Sequence, residues 1–379
     1  MSISGSEALL YIDTQQAADD YLTDLSGIRE IAVDTEGASF HRFIDRIYLL
    51  QITTRESSAI IDPLPIGMPQ GLGDILEDPE VEVVFHDADY DLRLLHQDYG
   101  WNVNHIFDTR IASQLLGIKA FGLAALLDQF FDVKLDKKHQ RADWSLRPLP
   151  PGMLDYAAQD TKYLLDLRDK LRDKLDKLDR LDWAREEFER LEGTKWEADD
   201  SSQAFLRIKG ARDLTRRELA LLRELVPWRD SVAREVDRAT FRVMGNEVLI
   251  DIARTAPSSA KELSSLKGMP RGILDRGGHA ILAAVQRGRE VADENLPRFP
   301  RSPKWEREED FDARVARLKG VRDSAANRLQ LDPGVLCSRE RLEAIARARP
   351  GKVSDLENVP GLRRWQIGEM GEDFVKALQ

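Results

Sequence analysis

Glu30-Ile31-Ala32-Val33-Asp34-Thr35-Glu36-Gly37 is a short apolar run that ends in two acids. Its β-branched character reads as a buried strand, and strand side chains alternate between faces. Asp34 and Glu36 therefore project to the same side, one pleat apart. Gly37 lets the backbone turn away without closing that face. Read alone, the pattern is an ordinary strand end with solvated acids; its weight comes from two further pieces.

The first is Val81 to Phe85, another β-branched run, followed by His86-Asp87-Ala88 and a helical pattern through Leu92, Leu94 and Leu95. Asp89 and Asp91 fall in the first turn of that helix, where acids favour the positive end of the dipole. His86 reads as a strand-end histidine, because the surrounding donors are oxygens. The second piece is residues 151 to 177, which read as one long helix after Pro150 and Pro151, with Leu154, Ala158, Leu164, Leu165 and Leu171 on its apolar face. Tyr156 and Asp160 are four apart and so stack on one helix face.

Four carboxylates, Asp34, Glu36, Asp91 and Asp160, are the ligand type that hard divalent cations prefer. Two such cations about 3.5–4 Å apart make a site that cleaves phosphodiesters. A phenol one turn from Asp160, with an ordinary pKa of about 10, suits orienting water better than deprotonating it. Strand runs at 29–35, 46–53, 57–62, 82–86 and 105–108 complete the frame. The first three, joined by short loops, predict antiparallel hairpins, and the later ones alternate with helices as βαβ units do. The expectation is a mixed sheet flanked by helices, with the Asp34 strand central.

These pieces resemble the DEDD exonuclease superfamily, and the Tyr156/Asp160 spacing matches its tyrosine-bearing branch. More specifically they resemble the ribonuclease D family, whose wording also runs through HQRADWSLRPLPPGMLDYAAQDTKYLLDL, residues 139 to 167. The resemblance implies a ribonuclease H-like α/β fold, with Asp34, Glu36, Asp91 and Asp160 as metal ligands and Tyr156 positioning the water. Asp108 and Thr109 also match, at a sheet edge; with four ligand slots filled, Asp108 is not expected to be a fifth.

The second half repeats itself. WRDSVAREVDRATF and its continuation overlie VRDSAANRLQLDPG at a constant offset of 93, pairing Arg229 with Arg322, Ile252-Ala253-Arg254 with Ile345-Ala346-Arg347, Gly268 with Gly361 and Gly278 with Gly371. Both copies are helical in pattern and resemble the helicase and RNase D C-terminal (HRDC) domain, a nucleic-acid-binding module. The division expected is an exonuclease domain at 1–192 and HRDC-type domains at 209–292 and 312–379. Residues 192–202 would be a junction and 293–310 a linker. LRDKLRDKLDKLDRLDWAREEFERLE, residues 167–192, reads as an exposed helix extension. Trp228 and Trp365 read as core anchors, and Phe40 and Phe43 as candidates for separating bases.

Among 379 residues there are 56 basic and 67 acidic ones, a net of −11. The excess is uneven: residues 209–379 hold 33 basic and 27 acidic, a net of +6, which leaves −17 for residues 1–208. Bound cations would offset part of the acidic half, while arginines of the repeats could meet phosphates. Cys337 is alone, which excludes an intramolecular disulfide and a cysteine zinc cluster. The start, MSISGSEALLYIDT, has no basic segment followed by an apolar stretch, and no run is long enough for a membrane span. A cytoplasmic setting, with no membrane and no obligate protein partner, is the natural expectation.

The residues alone support two-metal phosphodiester hydrolysis. The resemblance implies a 3′–5′ exoribonuclease using two cations, Mg2+ or Mn2+, on RNA with a free 3′ end such as tRNA precursors. The alternatives are the same chemistry on DNA, and a non-catalytic nucleic-acid adaptor; retention of all four acids disfavours the second.

Overall fold

Six strands form one sheet in the order β1-β4-β3-β2-β5-β6, in a computed structural model that describes residues 9–136, 138–150, 152–198, 200–300 and 309–379. They are β1 (Leu10–Ile12), β2 (Glu30–Glu36), β3 (Leu49–Thr53), β4 (Ser58–Ile61), β5 (Glu82–Phe85) and β6 (Ile106–Asp108). β2, β3 and β4 pair antiparallel as the short loops require, while β5 lies parallel to both β2 and β6. The Asp34 strand is central. β1 was not expected: three residues with Leu10 and Tyr11 exposed give no alternation to read, and it adds in parallel to the edge at β4.

Helices cover both faces. On one, α1 (Gln15–Asp24), α2 (Gln70–Glu77) and α3 (Asp89–Tyr99) bury Leu22, Leu72, Leu76, Leu92 and Leu95 against Ile31, Val33, Ile52 and Val83. On the other, α4 (Thr109–Leu115), α5 (Leu123–Phe131), α6 (Met153–Lys162), α7 (Leu164–Lys177) and α8 (Leu181–Glu192) close over Ala32, Val84 and Phe107. Each such side chain removed from water contributes roughly 1.5–3 kcal/mol.

Two expectations are corrected here. Residues 151–177 are not one helix: the described part breaks at Tyr163 (φ −107°, ψ 0°) into α6 and α7, and Pro151 lies outside the described residues. The core face of α6 is Met153, Ala157 and Thr161, with Leu154 and Ala158 only half-buried. Nor are residues 167–192 an exposed extension. The chain folds back at Asp179 and Arg180, and Leu167, Leu171, Leu175, Ala184 and Phe188 all join the core. The leucine stripe was visible, but the surface it packs on comes from distant parts of the chain.

The chain divides into two compact units, one of Met1–Gly37, Ile47–Trp196 and Glu306–Gln379, the other of Ala38–Arg46 and Glu197–Trp305. The second unit is built on α9 (Arg216–Glu235), α10 (Asn246–Thr255) and α11 (Arg271–Glu290) around Leu222, Leu225, Leu249, Ile252 and Ile281. In the first unit, α12 (Phe311–Leu329), α13 (Arg339–Ala348) and α14 (Arg364–Leu378) share one continuous core with the sheet. The offset of 93 holds in three dimensions. Ala256 and Arg349 end α10 and α13 with φ 45° and 47°, and Gly268 and Gly361 turn with φ 80° and 77°. Arg229 and Arg322, paired by the repeat, donate to the carbonyls of Met244 and Cys337, again 93 apart. These two arginines are therefore framework. Of the 293–310 stretch, residues 301–308 lie outside the described residues, as does Asp199 in the 192–202 stretch.

Candidate metal centre

β2 outruns β5: their pairing stops at Ala32 and Val84, so Asp34, Thr35 and Glu36 extend past the neighbouring strand. The first turn of α3 fills the gap. Asp91 accepts from the Thr35 amide (3.0 Å) and the Thr35 hydroxyl (2.6 Å), both at Oδ1, so it takes the place of the missing strand. On the opposite edge Asp34 and Gln51 are register partners. From the face above, α6 packs on β2, β3 and β4, fixed by a 2.8 Å hydrogen bond between the hydroxyls of Thr53 and Thr161. Asp160 is thereby delivered to the acids of β2.

Ligand oxygens of Asp34, Glu36 and Asp160 lie within 4.8 Å of one another. Asp91 is outside that tight group, held instead by the residue between the two β2 acids. Tyr156 sits one turn before Asp160 with its ring braced by His139 (5.7 Å, edge-on) and Trp144 (6.1 Å). The family-like stretch explains the brace: Arg147 donates to Asp62 (2.8 Å), the Tyr48 carbonyl (2.8 Å) and the Trp144 carbonyl (2.8 Å), seating the loop that carries both rings.

The electrostatics follow first from burial. Burial, then Asp91, Asp160 and Glu36, push the Asp34 carboxyl well above its usual range; burial, Asp160 and Asp91 do the same to Glu36. Burial pushes Asp91 and Asp160 up to about 7, for Asp91 against the opposing hydrogen bonds from Thr35. Burial and then Asp160, Glu36 and Asp34 raise the Tyr156 phenol, so it stays a neutral O–H donor. Burial is the largest influence on each of the four acids, and the neighbouring charges that act on Asp34 and Glu36 are other acids. Gln51 is fully buried beside them. Its amide nitrogen reaches Glu36 at 3.4 Å, while its carbonyl oxygen has no hydrogen-bond partner among the described residues. Three carboxylates with an orphaned carbonyl nearby, all hard oxygen donors, fit a divalent cation.

Asp108 and His86 serve as framework. Asp108 accepts from the amides of Ala88 (2.8 Å), Arg110 (2.8 Å) and Ile111 (3.0 Å), joining the turn before α3 to the start of α4. His86 bonds Thr109 at 2.9 Å, and burial lowers its pKa to about 4, so it is neutral. Phe40 meets Phe241 edge-on at 6.3 Å and Phe43 lies 4.7 Å from the Arg234 guanidinium, within the second unit. Thr35 and Gln51 were missed from sequence. A lone glutamine in the buried run LLQIT was the available signal for Gln51; nothing local marks Thr35.

The 3′–5′ exonuclease family model matches residues 9–176, and the HRDC domain model matches 218–285 and 311–378. Ribonuclease D of Granulibacter bethesdensis is 30% identical over 98% of this chain and 91% of its own length. Among solved structures, Escherichia coli RNase D, an exoribonuclease involved in structured RNA processing, superposes with a TM-score of 0.74 at 27% identity, covering 98% of each chain. A Bifidobacterium adolescentis protein reaches 0.82 at 25% identity over 97% of this chain and 96% of its own. With the sheet, the acidic cleft and both helical repeats in the same order along the chain, this protein belongs to the ribonuclease D family.

Proposed function

We propose that this 3′–5′ exoribonuclease hydrolyses nucleotides from the 3′ ends of tRNA precursors and other stable RNA in the cytoplasm, with two divalent cations, Mg2+ or Mn2+, held by Asp34, Glu36, Asp91 and Asp160. The observation that carries this reading is the meeting of Asp34, Glu36 and Asp160 within 4.8 Å. When bound, such cations stabilise charge on the phosphoryl oxygens and make water a competent nucleophile near neutral pH. Asp34 and Asp160 would share one cation, and Asp34, Glu36 and Asp91 the other. Both Thr35 bonds fall on Oδ1 of Asp91, which leaves Oδ2 for that role.

Tyr156 holds and aims the attacking water through its hydroxyl. It does not take the proton, because burial and three neighbouring acids put the phenolate out of reach. His139 and Trp144 keep the ring from swinging away. In this reading residues 1–192 carry the chemistry, and the helical domains at 209–292 and 312–379 hold the RNA backbone.

The test is a 3′-extended structured RNA, labelled at either end and incubated with and without EDTA. The 3′ end should shorten one nucleotide at a time, EDTA should stop it, and release should require a free 3′ hydroxyl. Shortening from the 5′ end, or EDTA-resistant cleavage, would overturn the proposal.

A further inference from the structure

A groove of about 880 Å³ lies in the first unit between α4, the segment after it, α8 and the helices α12 and α13. α4 begins beside Asp108 at the end of the sheet that carries Asp34, and the groove is lined by Ile111, Gln114 and Leu115 of α4 together with Gly117, Ile118, Lys119 and Phe121 after it.

Its charged lining is unequal in its bonding. Glu187 accepts from Arg363 at 3.1 Å and from the Trp365 indole at 3.1 Å, and Asp332 accepts from the Gly334 amide at 2.7 Å, so both acids are engaged. Of the cations, Arg190 is 3.6 Å from Glu187 and Lys119 is exposed. The Arg341 guanidinium makes no hydrogen bond or ion pair among the described residues; the side-chain bond at this residue is the one its backbone amide donates to the Ser338 hydroxyl. It is half-buried; burial and then Arg363 lower its pKa, and Glu187 acts the other way. A partly desolvated guanidinium with no hydrogen-bond acceptor among the described residues costs the fold free energy. The same groove is lined by the amides of Gln114 and Asn327, which offer both donors and acceptors, and by Phe121, whose ring has the Arg110 guanidinium 5.2 Å from its centroid on one face and a second face to offer.

We propose that this groove is a second nucleotide-binding site, taking a nucleoside phosphate with its phosphate on Arg341 and its base between Phe121 and the two amides. Guanidinium–phosphate pairing supplies the missing acceptor, and an aromatic face with mixed amides suits a base. The phosphate has two sources, a free mononucleotide or one nucleotide of a bound strand. The site does not depend on the metal reading, and its test is run without divalent cations.

The experiment measures equilibrium binding of inorganic phosphate, adenosine 5′-monophosphate and a 5′-phosphorylated RNA hexamer in EDTA, for the full-length protein and for Arg341→Met and Arg341→Lys. Arg341→Met should weaken at least one nucleotide probe about tenfold or more, with Arg341→Lys between it and the parent. A loss confined to adenosine 5′-monophosphate assigns the site to free nucleotide, and a loss confined to the hexamer assigns it to the strand. The proposal also requires that Arg341→Met melt no lower than the parent, since the deleted cation has no bond to lose. It is overturned if no nucleotide probe binds, if binding is unchanged in Arg341→Met, if only inorganic phosphate responds, or if Arg341→Met melts several degrees lower and the guanidinium is thereby structural.

Discussion

Strand β2 carries acids at both ends, and the two ends are treated in opposite ways. Glu30, Asp34 and Glu36 share one face by strand alternation, and α6 and α7 both pack on that strand. Above Glu30 and its register partner Glu82, α7 sets Arg168, only 2% exposed, which pairs with both glutamates; Arg55 adds a second bond to Glu30 at 2.5 Å. Burial pushes the Glu30 carboxyl up, but the hydrogen bonds from Arg55 and Arg168 outweigh it, and it ends below its usual range. Above Asp34 and Glu36, α6 sets a further acid, Asp160, and every influence but the local amide pushes upward. The same residue type on the same strand face is a fastener at one end and a site awaiting positive charge at the other. What separates them is whether the fold itself supplies the cation.

The largest expected effects come from breaking each end. Asp34→Asn removes a charge that bound cations need, so RNA degradation should fall by roughly 10³-fold or more. With EDTA at neutral pH the same variant should melt no lower than the parent, because it also removes repulsion. Arg168→Ala should do the reverse. It leaves Glu30 to Arg55 and Glu82 to Arg172, each with one cation fewer, and should cost about 1–3 kcal/mol of stability, with turnover per folded molecule retained. Urea melts and initial rates on both variants decide this; a stability loss in Asp34→Asn comparable to that of Arg168→Ala would erase the distinction.

Tyr156→Phe tests the functional end more finely. Its ring contacts survive and only the hydroxyl goes, so kcat should drop about 10²-fold while the metal concentration for half-maximal activity stays put. A shift in that concentration with kcat preserved would make the phenol a support for the ligands.

pH separates the ends by sign. Asp91 and Asp160, pushed up to about 7, hold their protons in the folded protein without metal. An acid raised in this way contributes stability that is full below its unfolded value of about 4 and is lost as the pH rises to its folded value. Glu30, held low, contributes above its unfolded value of about 4 and loses that only on acidification. The melting temperature in EDTA should therefore fall between about pH 5 and pH 7.5, and Mg2+ should restore more at the upper pH. A flat profile with an equal Mg2+ shift at both values would show that the four acids carry no such strain.

The sequence made one end legible and hid the other. Asp34 and Glu36 are an ordinary strand end when read alone and gain weight only beside the Tyr156/Asp160 pair, whose shared face follows from helical spacing and whose role comes from the family resemblance. The repeat is plain, since identities at one offset need no structure to interpret. Arg168 was invisible: in RDKLRDKLDK eight of the ten residues are charged, and only the fold shows which arginine is buried. The break at Tyr163 was hidden for a related reason, since apolar spacing runs on through it. Asp91 read by position as a helix cap and became a ligand candidate only through the family resemblance; its bonds to Thr35 depend on β5 stopping short of β2, a matter of strand length that local pattern does not carry.

A smaller fastener shows how far the distinction reaches. Glu186 on α8 accepts from the amides of Arg364 (2.8 Å) and Trp365 (3.1 Å), capping α14 from another element, while Trp365 stacks on Trp183 at 4.8 Å. At the matching positions of the first repeat stand Pro270, Arg271 and Gly272 in place of Arg363, Arg364 and Trp365, so the docking chemistry belongs to the second copy alone. Glu186→Ala leaves two helix-end amides without their acceptor and should cost about 1 kcal/mol, the ordinary worth of a cap. Hydrogen exchange should quicken along α14 and the facing turns of α8, and stay as it was in α9, α10 and α11. Unchanged protection in α14 would mean that the tryptophan stack and the shared core hold the seam unaided. This acid would then belong with neither end of β2.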